Sequence, residues 1–119
     1  MSQNFQQGDF LIFQIESGYG LLRVLATEVA GKDPIWHLAA YSDLFLDIET
    51  ADAALEHPSL LSISHSHLAL TNRAFESTQV ARMKNEPLTV DELRAFEVWK
   101  LNPDHEISDR SVRLMLGLR

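Results

Sequence analysis

The chain has 119 residues, 45% of them hydrophobic, no cysteine and a net charge of −7 at neutral pH. That length fits a single domain over residues 1–119, able to bury roughly two-thirds of its unfolded surface. The missing cysteines exclude disulfides, thiolate zinc sites and thiol chemistry, and no apolar run approaches the ~20 residues of a membrane span.

Residues 1–8 are polar and carry no basic leader, so the expected compartment is cytoplasmic, with no membrane partner. Up to Leu60 there are two basic residues, Arg23 and Lys32, against nine acidic ones, whereas the remainder carries eight of each. An acidic half repels phosphate backbones, which argues against nucleic acid as a partner. A net charge of this size is normal for a small domain and is explained first by plain solubility, while also being compatible with a basic protein partner.

Residues 8–29 organise the chain. Two runs rich in Phe, Ile, Leu and Val, residues 9–15 and 19–29, are broken only by Ser17 and Gly18, which reads as a β-hairpin. With those two residues at the centre of the turn, Glu16 faces Tyr19, Phe13 opposes Leu22 and Leu11 opposes Val24. The two-residue period then puts Leu11, Phe13, Ile15, Leu22, Val24 and Ala26 on one face and Phe10, Ile12, Leu21, Arg23 and Leu25 on the other. Neither face is made for water. The sheet must therefore curl into a small barrel or be covered on both sides.

A turn is expected over residues 30–34, where Pro34 disfavours helix at Asp33. Residues 35–41 form the third strand, and residues 44–48 extend it or make a fourth. A short alanine-rich helix over residues 50–56 ends at Pro58. Residues 60–71 are a further strand, with a bulge near His67. Residues 73–86 carry no clear signal. Thr89 followed by Glu92 makes a capping box, with Leu88 and Leu93 as the hydrophobic staple, so a helix starts there. Val90, Leu93, Phe96 and Trp99 are its apolar side, and Asn102 with Pro103 closes it. A second helix is expected with Ser108 as N-cap, Ile107 and Val112 as staple and Gly117 at the C-terminal cap.

Two groups of residues have the chemistry for a site. His65 and His67, two apart in a strand, would share a face and could chelate a metal ion, with His37, His57, Asp43 or Asp47 as a third ligand. Arg23, set between Leu21 and Leu25 and opposite Ile12, needs an anion, either Asp9, Glu16 or Glu28 within the chain or an acidic group on a ligand or partner. Tyr19, Trp36, Tyr41 and Trp99 are amphipathic aromatics, of which Tyr19 at the hairpin tip is best placed to anchor a partner. Ser64 and Ser66 flank His65, but neighbouring strand residues face opposite ways, so no Ser–His pair is expected. The glycines form neither a phosphate loop nor a dinucleotide turn, and no cofactor is expected.

Gly8 and Asp9, the run over residues 10–15, the turn Gly18, Tyr19 and Gly20, and Arg23 with Val24 resemble the hairpin of small strand-rich immunity proteins of bacterial polymorphic-toxin systems, the type numbered twenty-six. The same pattern is similar to SH3-like barrels in general. The resemblance implies a binding protein that neutralises a toxin by contact; residues 87–104 have no counterpart in it.

These readings converge on an α+β fold: a curled antiparallel sheet or small SH3-like open barrel with C-terminal helices packed on it. The leading functional expectation is a protein-binding module that meets a basic partner through Glu16, Tyr19 and Arg23. A metal-binding protein or metal-dependent enzyme built on His65 and His67 is the second, and a homo-oligomeric structural subunit the third.

Overall fold

The computed structural model describes residues 5–30 and 33–118. The strands are β1 (Asp9–Ile15), β2 (Gly18–Ala30), β3 (Asp33–Tyr41), β4 (Ile63–Thr71) and β5 (Val80–Asn85). They form one antiparallel sheet in the order β4-β3-β2-β1-β5, curled but not closed. The helices are α1 (Ile48–Ala54), α2 (Asn72–Glu76), α3 (Val90–Leu101) and α4 (Val112–Leu116), and a 3₁₀ turn spans Pro58–Leu60. The α+β class and the helices packed on a curled sheet are as expected. The turn expected over residues 30–34 lies partly outside the described residues.

The hairpin turns two residues earlier in register than expected. Ile15 pairs with Gly18, so Glu16 and Ser17 form the turn, Gln14 faces Tyr19, and Leu11 opposes Leu22. Gly18 has φ +156°, and a Cβ there would collide with the carbonyl oxygen of Phe45. The glycine thus serves the packing of the tip on the next loop rather than the centre of the turn. An offset of two residues leaves each side chain on its expected face.

One face carries Leu11, Phe13, Ile15, Leu22, Val24, Trp36, Leu38 and Leu70, and is closed by Ala74 and Phe75 of α2 and Val112 of α4. On the other face Phe10, Ile12, Leu21 and Tyr41 pack with Ala51 of α1 and Leu55 just after it. Leu25, Ala39 and Phe96 of α3 form the third cluster, flanked by Leu88, Leu93 and Trp99. The chain's own helices therefore cover both faces. Ala26 joins this third cluster instead of the first, because a bulge between Val24 and Ala26 inserts one extra residue and reverses the alternation.

Other elements also depart from expectation. Residues 44–48 are not a strand: Phe45 makes a single bridge to Tyr19, and Ile48 already opens α1 behind the N-cap Asp47. The silent stretch over residues 73–86 contains most of α2 and all of β5, an edge strand whose half-exposed, charged sequence shows no alternation. Thr89 caps α3 with the full capping box, yet Val90 is 80% exposed and off the packed side. In α4 the N-cap is Ser111, whereas Ser108 pairs its backbone with β4 beside Leu70.

Candidate functional site

Arg23 lies opposite Phe10, not Ile12, and its guanidinium carbon sits 4.1 Å from the Phe10 ring centroid. It is 2% exposed. Its Nε donates to Glu92 Oε2 at 2.8 Å and its Nη2 to Glu92 Oε1 at 3.2 Å, a bidentate pair. Nη1 donates to the carbonyls of Gly8 (2.5 Å) and Glu86 (3.1 Å), and Nη2 also to that of Pro87 (3.1 Å). Every guanidinium N–H is committed within the chain. Burial would raise the Glu92 carboxyl, but hydrogen bonds from Arg23 and from the Thr89 backbone outweigh it and hold Glu92 below the ordinary range. The anion that Arg23 needs is thus Glu92 on α3, not Asp9, Glu16 or Glu28, and no donor is left to meet a partner. Asp9 is engaged elsewhere, by Arg82 at 2.8 Å and Asn85 at 2.8 Å.

Glu16 is exposed at the turn, and Tyr19 is half-buried against the cluster around Phe10. The loop after β3 docks on this tip through two backbone hydrogen bonds, Tyr19 N–H to Phe45 O at 2.8 Å and Phe45 N–H to Tyr19 O at 2.9 Å. Phe45 points inward and its neighbours point out: Leu44 is 49% exposed, Leu46 85% and Ile48 49%. Glu16 in the hairpin turn, Asp47 in the loop and Glu49 and Asp52 in α1 are exposed as well. Asp47 caps α1 by accepting from the Thr50 backbone at 2.8 Å, and hydrogen bonds from the Thr50 hydroxyl and backbone keep it below the ordinary aspartate range. The surface is therefore apolar, anionic and held in shape by main-chain bonds. Its signal was the apolar alternation at residues 44, 46 and 48, which reads as a strand although no sheet partner continues beyond Tyr19.

The histidines do not assemble as expected. Leu68 pairs with Leu38 while His65 pairs with Ala40, so β4 has one extra residue between them, at the bulge expected near His67. That bulge puts His65 and His67 on opposite faces. Among the described residues no group of three or more His, Cys, Asp or Glu side chains could hold a metal ion. His65 instead lies near Leu116 and Leu118, and its Nδ1 is 3.1 Å from Ser64 Oγ. This contact is the opposite of the separation expected for adjacent strand residues, and a second irregularity between Ala40 and Tyr41 permits it. No carboxylate orients His65 among the described residues, so the pair lacks the third member of a catalytic triad.

His67 joins His37 instead, with His37 Nδ1 2.9 Å from His67 Nε2 and His37 Nε2 2.7 Å from Glu28 Oε1. Since Glu28 only accepts, the neutral chain runs one way: His37 donates from Nε2, and His67 donates from Nε2 to His37 Nδ1. Phe96 and Trp99 of α3 cover both rings, and His105 stacks on Trp99 at 4.1 Å between centroids. Burial and the neighbouring His37 push His67 down to about 4; burial also lowers His37, against the pull of Glu28. Both rings are therefore neutral near pH 7.

Compared with protein-family models, with curated proteins and with solved structures, the chain matches none. Among the described residues no helix is long and apolar enough to cross a membrane.

Proposed function

We propose that this chain is a protein-binding module that acts by surface contact, presenting the hairpin tip and the loop after β3 to a basic partner. One observation carries the reading: Leu44, Leu46 and Ile48 are exposed on a loop pinned to Tyr19, and the hairpin turn, that loop and the helix after it carry the exposed carboxylates Glu16, Asp47, Glu49 and Asp52. Large apolar side chains fixed in place at low entropic cost are what an interface core needs, and a surrounding negative field steers a cationic partner toward it. Of the residues expected to meet the partner, Glu16 and Tyr19 belong to this surface. Arg23 supports it from within, by holding α3 and the segment around Glu86 on the sheet. The likeness of the hairpin to contact-acting immunity proteins favours the same mode of action.

The reading is tested by affinity capture from lysate of the source cells with wild type and with a Glu16→Lys, Glu49→Lys variant, at low and high salt. Partners held at low salt by wild type and lost from the variant support it, because rim charges act mainly on encounter and on salt dependence. Identical recovery by both proteins, or light scattering that shows the same apolar loop joining two copies of the chain, would sink it.

A further inference from the structure

The Arg23 side of the second sheet face also holds a cleft of about 340 Å³, walled by Phe10, Tyr41, Pro58, Leu61, Ile63 and Pro87. That volume lies in the lower part of the range of small-ligand sites, roughly 300–1,000 Å³. Its charged lining is Arg23, Glu86 and Glu92, one cation against two carboxylates. Arg23 and Glu92 answer each other, and Glu92 also accepts from the Thr89 backbone at 3.0 Å. Glu86 is the carboxylate left over.

The pairing of β1 with β5 puts it there. Lys84 lies opposite Phe10, so their side chains share a face. Glu86, two residues on, keeps that face, because its N–H donates to Gly8 O at 3.1 Å and continues the ladder. Oε2 of Glu86 is buried and has no hydrogen-bond partner among the described residues. Lys84 Nζ lies 3.0 Å from it, close enough for attraction between the charges, but the ammonium gives its hydrogen bond to Leu55 O. A buried carboxylate oxygen without a donor is costly, and a ligand N–H that pairs with it would remove that cost.

We propose that this cleft binds an organic cation, an ammonium or guanidinium on a short apolar stem, with Glu86 Oε2 as the recognising atom. The head donates to Glu86, and the stem lies along the apolar walls. The rings of Phe10 and Tyr41 favour a positive charge beside them. The lining carries one unbalanced negative charge, and Arg23 has no N–H free to receive an anion. The same chemistry comes as a free amine or guanidine, or as a lysine or arginine side chain of a protein. None of Leu44, Leu46 and Ile48 lines the cleft, so the cation site and the proposed contact surface stand or fall separately.

Amide chemical shifts of the full chain are followed at neutral pH as n-butylammonium, n-butylguanidinium, n-butanol, the anion pentanoate and N-acetyl-arginine methylamide are added. Saturable shifts are expected at Ser59, Leu61, Ile63 and Glu86 with the two butyl cations, and none with pentanoate. Butanol on wild type, and the cations on Glu86→Gln, should each bind about tenfold more weakly, the value of one hydrogen bond to a charged group. Glu86→Gln leaves in place the Glu86 carbonyl that accepts from Arg23, so the chain should fold as wild type does. Lys84→Met should act the other way and tighten the cations about threefold, because it removes the ammonium that competes for Oε2; general loosening of the fold would not do so. Tighter binding of the blocked arginine than of n-butylguanidinium assigns the cleft to a protein's side chain, and exclusion of the blocked arginine assigns it to a free molecule. The proposal falls if neither butyl cation gives saturable shifts at these amides, if butanol binds as tightly, or if Glu86→Gln binds the cations equally well.

Discussion

Arg23 and the loop of Leu44, Leu46 and Ile48 are opposite misfits. The first is a charge in an apolar face, the second apolar side chains in an acidic surface. Arg23 resolves its conflict inside the chain, with Glu92 and the carbonyls of Gly8, Glu86 and Pro87. The loop resolves nothing: its backbone is fixed by Tyr19 while its large side chains remain in water. An out-of-place residue therefore points to function only when the fold leaves it unanswered. By that measure the loop is the proposed contact surface, and Arg23 is the tie that joins three distant segments of the chain.

The contrast should break first at Arg23. Replacing it with Met removes a buried partner from Glu92 and from those carbonyls, and should cost about 3–5 kcal/mol in chemical denaturation. Glu92→Gln keeps the shape and some of the hydrogen bonds, so its loss should be smaller. A cost under about 1 kcal/mol for Arg23→Met would mean that the ion pair adds little beyond the packing of its stem.

Gly18→Ala comes next. It combines an unfavourable backbone angle with a collision against Phe45 O, and about 1–3 kcal/mol of destabilisation is expected. Faster amide exchange should appear at Tyr19 and Phe45, the two residues that pin the loop, before it appears in β3.

Acid should act through the histidine pair. Both pKa values are lowered in the fold, so the unfolded chain takes up protons first as the pH drops. The stability owed to the neutral pair is complete above pH ~6.5 and declines as pH falls from there toward about 4, the folded value of His67. The depressed Asp9 and Glu92 add losses in the same direction at lower pH. His67→Gln can still donate to His37 Nδ1 but takes no proton, and thermal melts should show a shallower decline across that window. An unchanged slope would place the acid sensitivity elsewhere.

Smallest in stability is Leu46→Glu. At 85% exposure the change should stay within about 0.5 kcal/mol, while recovery of the partner collapses.

Much of the fold was legible because the apolar pattern survives even a mistaken turn. The shift from Ser17 and Gly18 to Glu16 and Ser17 moved the register by two, and Leu11, Phe13, Leu22 and Val24 kept their face. Single-residue bulges are what the pattern hides. One carries Ala26 to the other face, and another separates His65 from His67 and leaves His67 beside His37. The strand β5 escaped notice because an edge strand with Arg82 and Lys84 has little to bury. Of the proposed surface, the exposed Glu16 and the half-buried Tyr19 could be placed at the tip from the hairpin pattern. The loop could not, since alternation at residues 44, 46 and 48 describes a strand and an exposed ridge equally well until the pairing is known.

The most direct test of the proposed contact surface is position-specific photo-cross-linking, with the reactive side chain placed at Leu46 or, as a control of equal exposure, at Leu101 on α3. The account predicts a discrete adduct with a basic protein from position 46, suppressed by high salt and by Glu16→Lys, and none from position 101. Adducts of equal yield from both positions, or from position 101 alone, would contradict it.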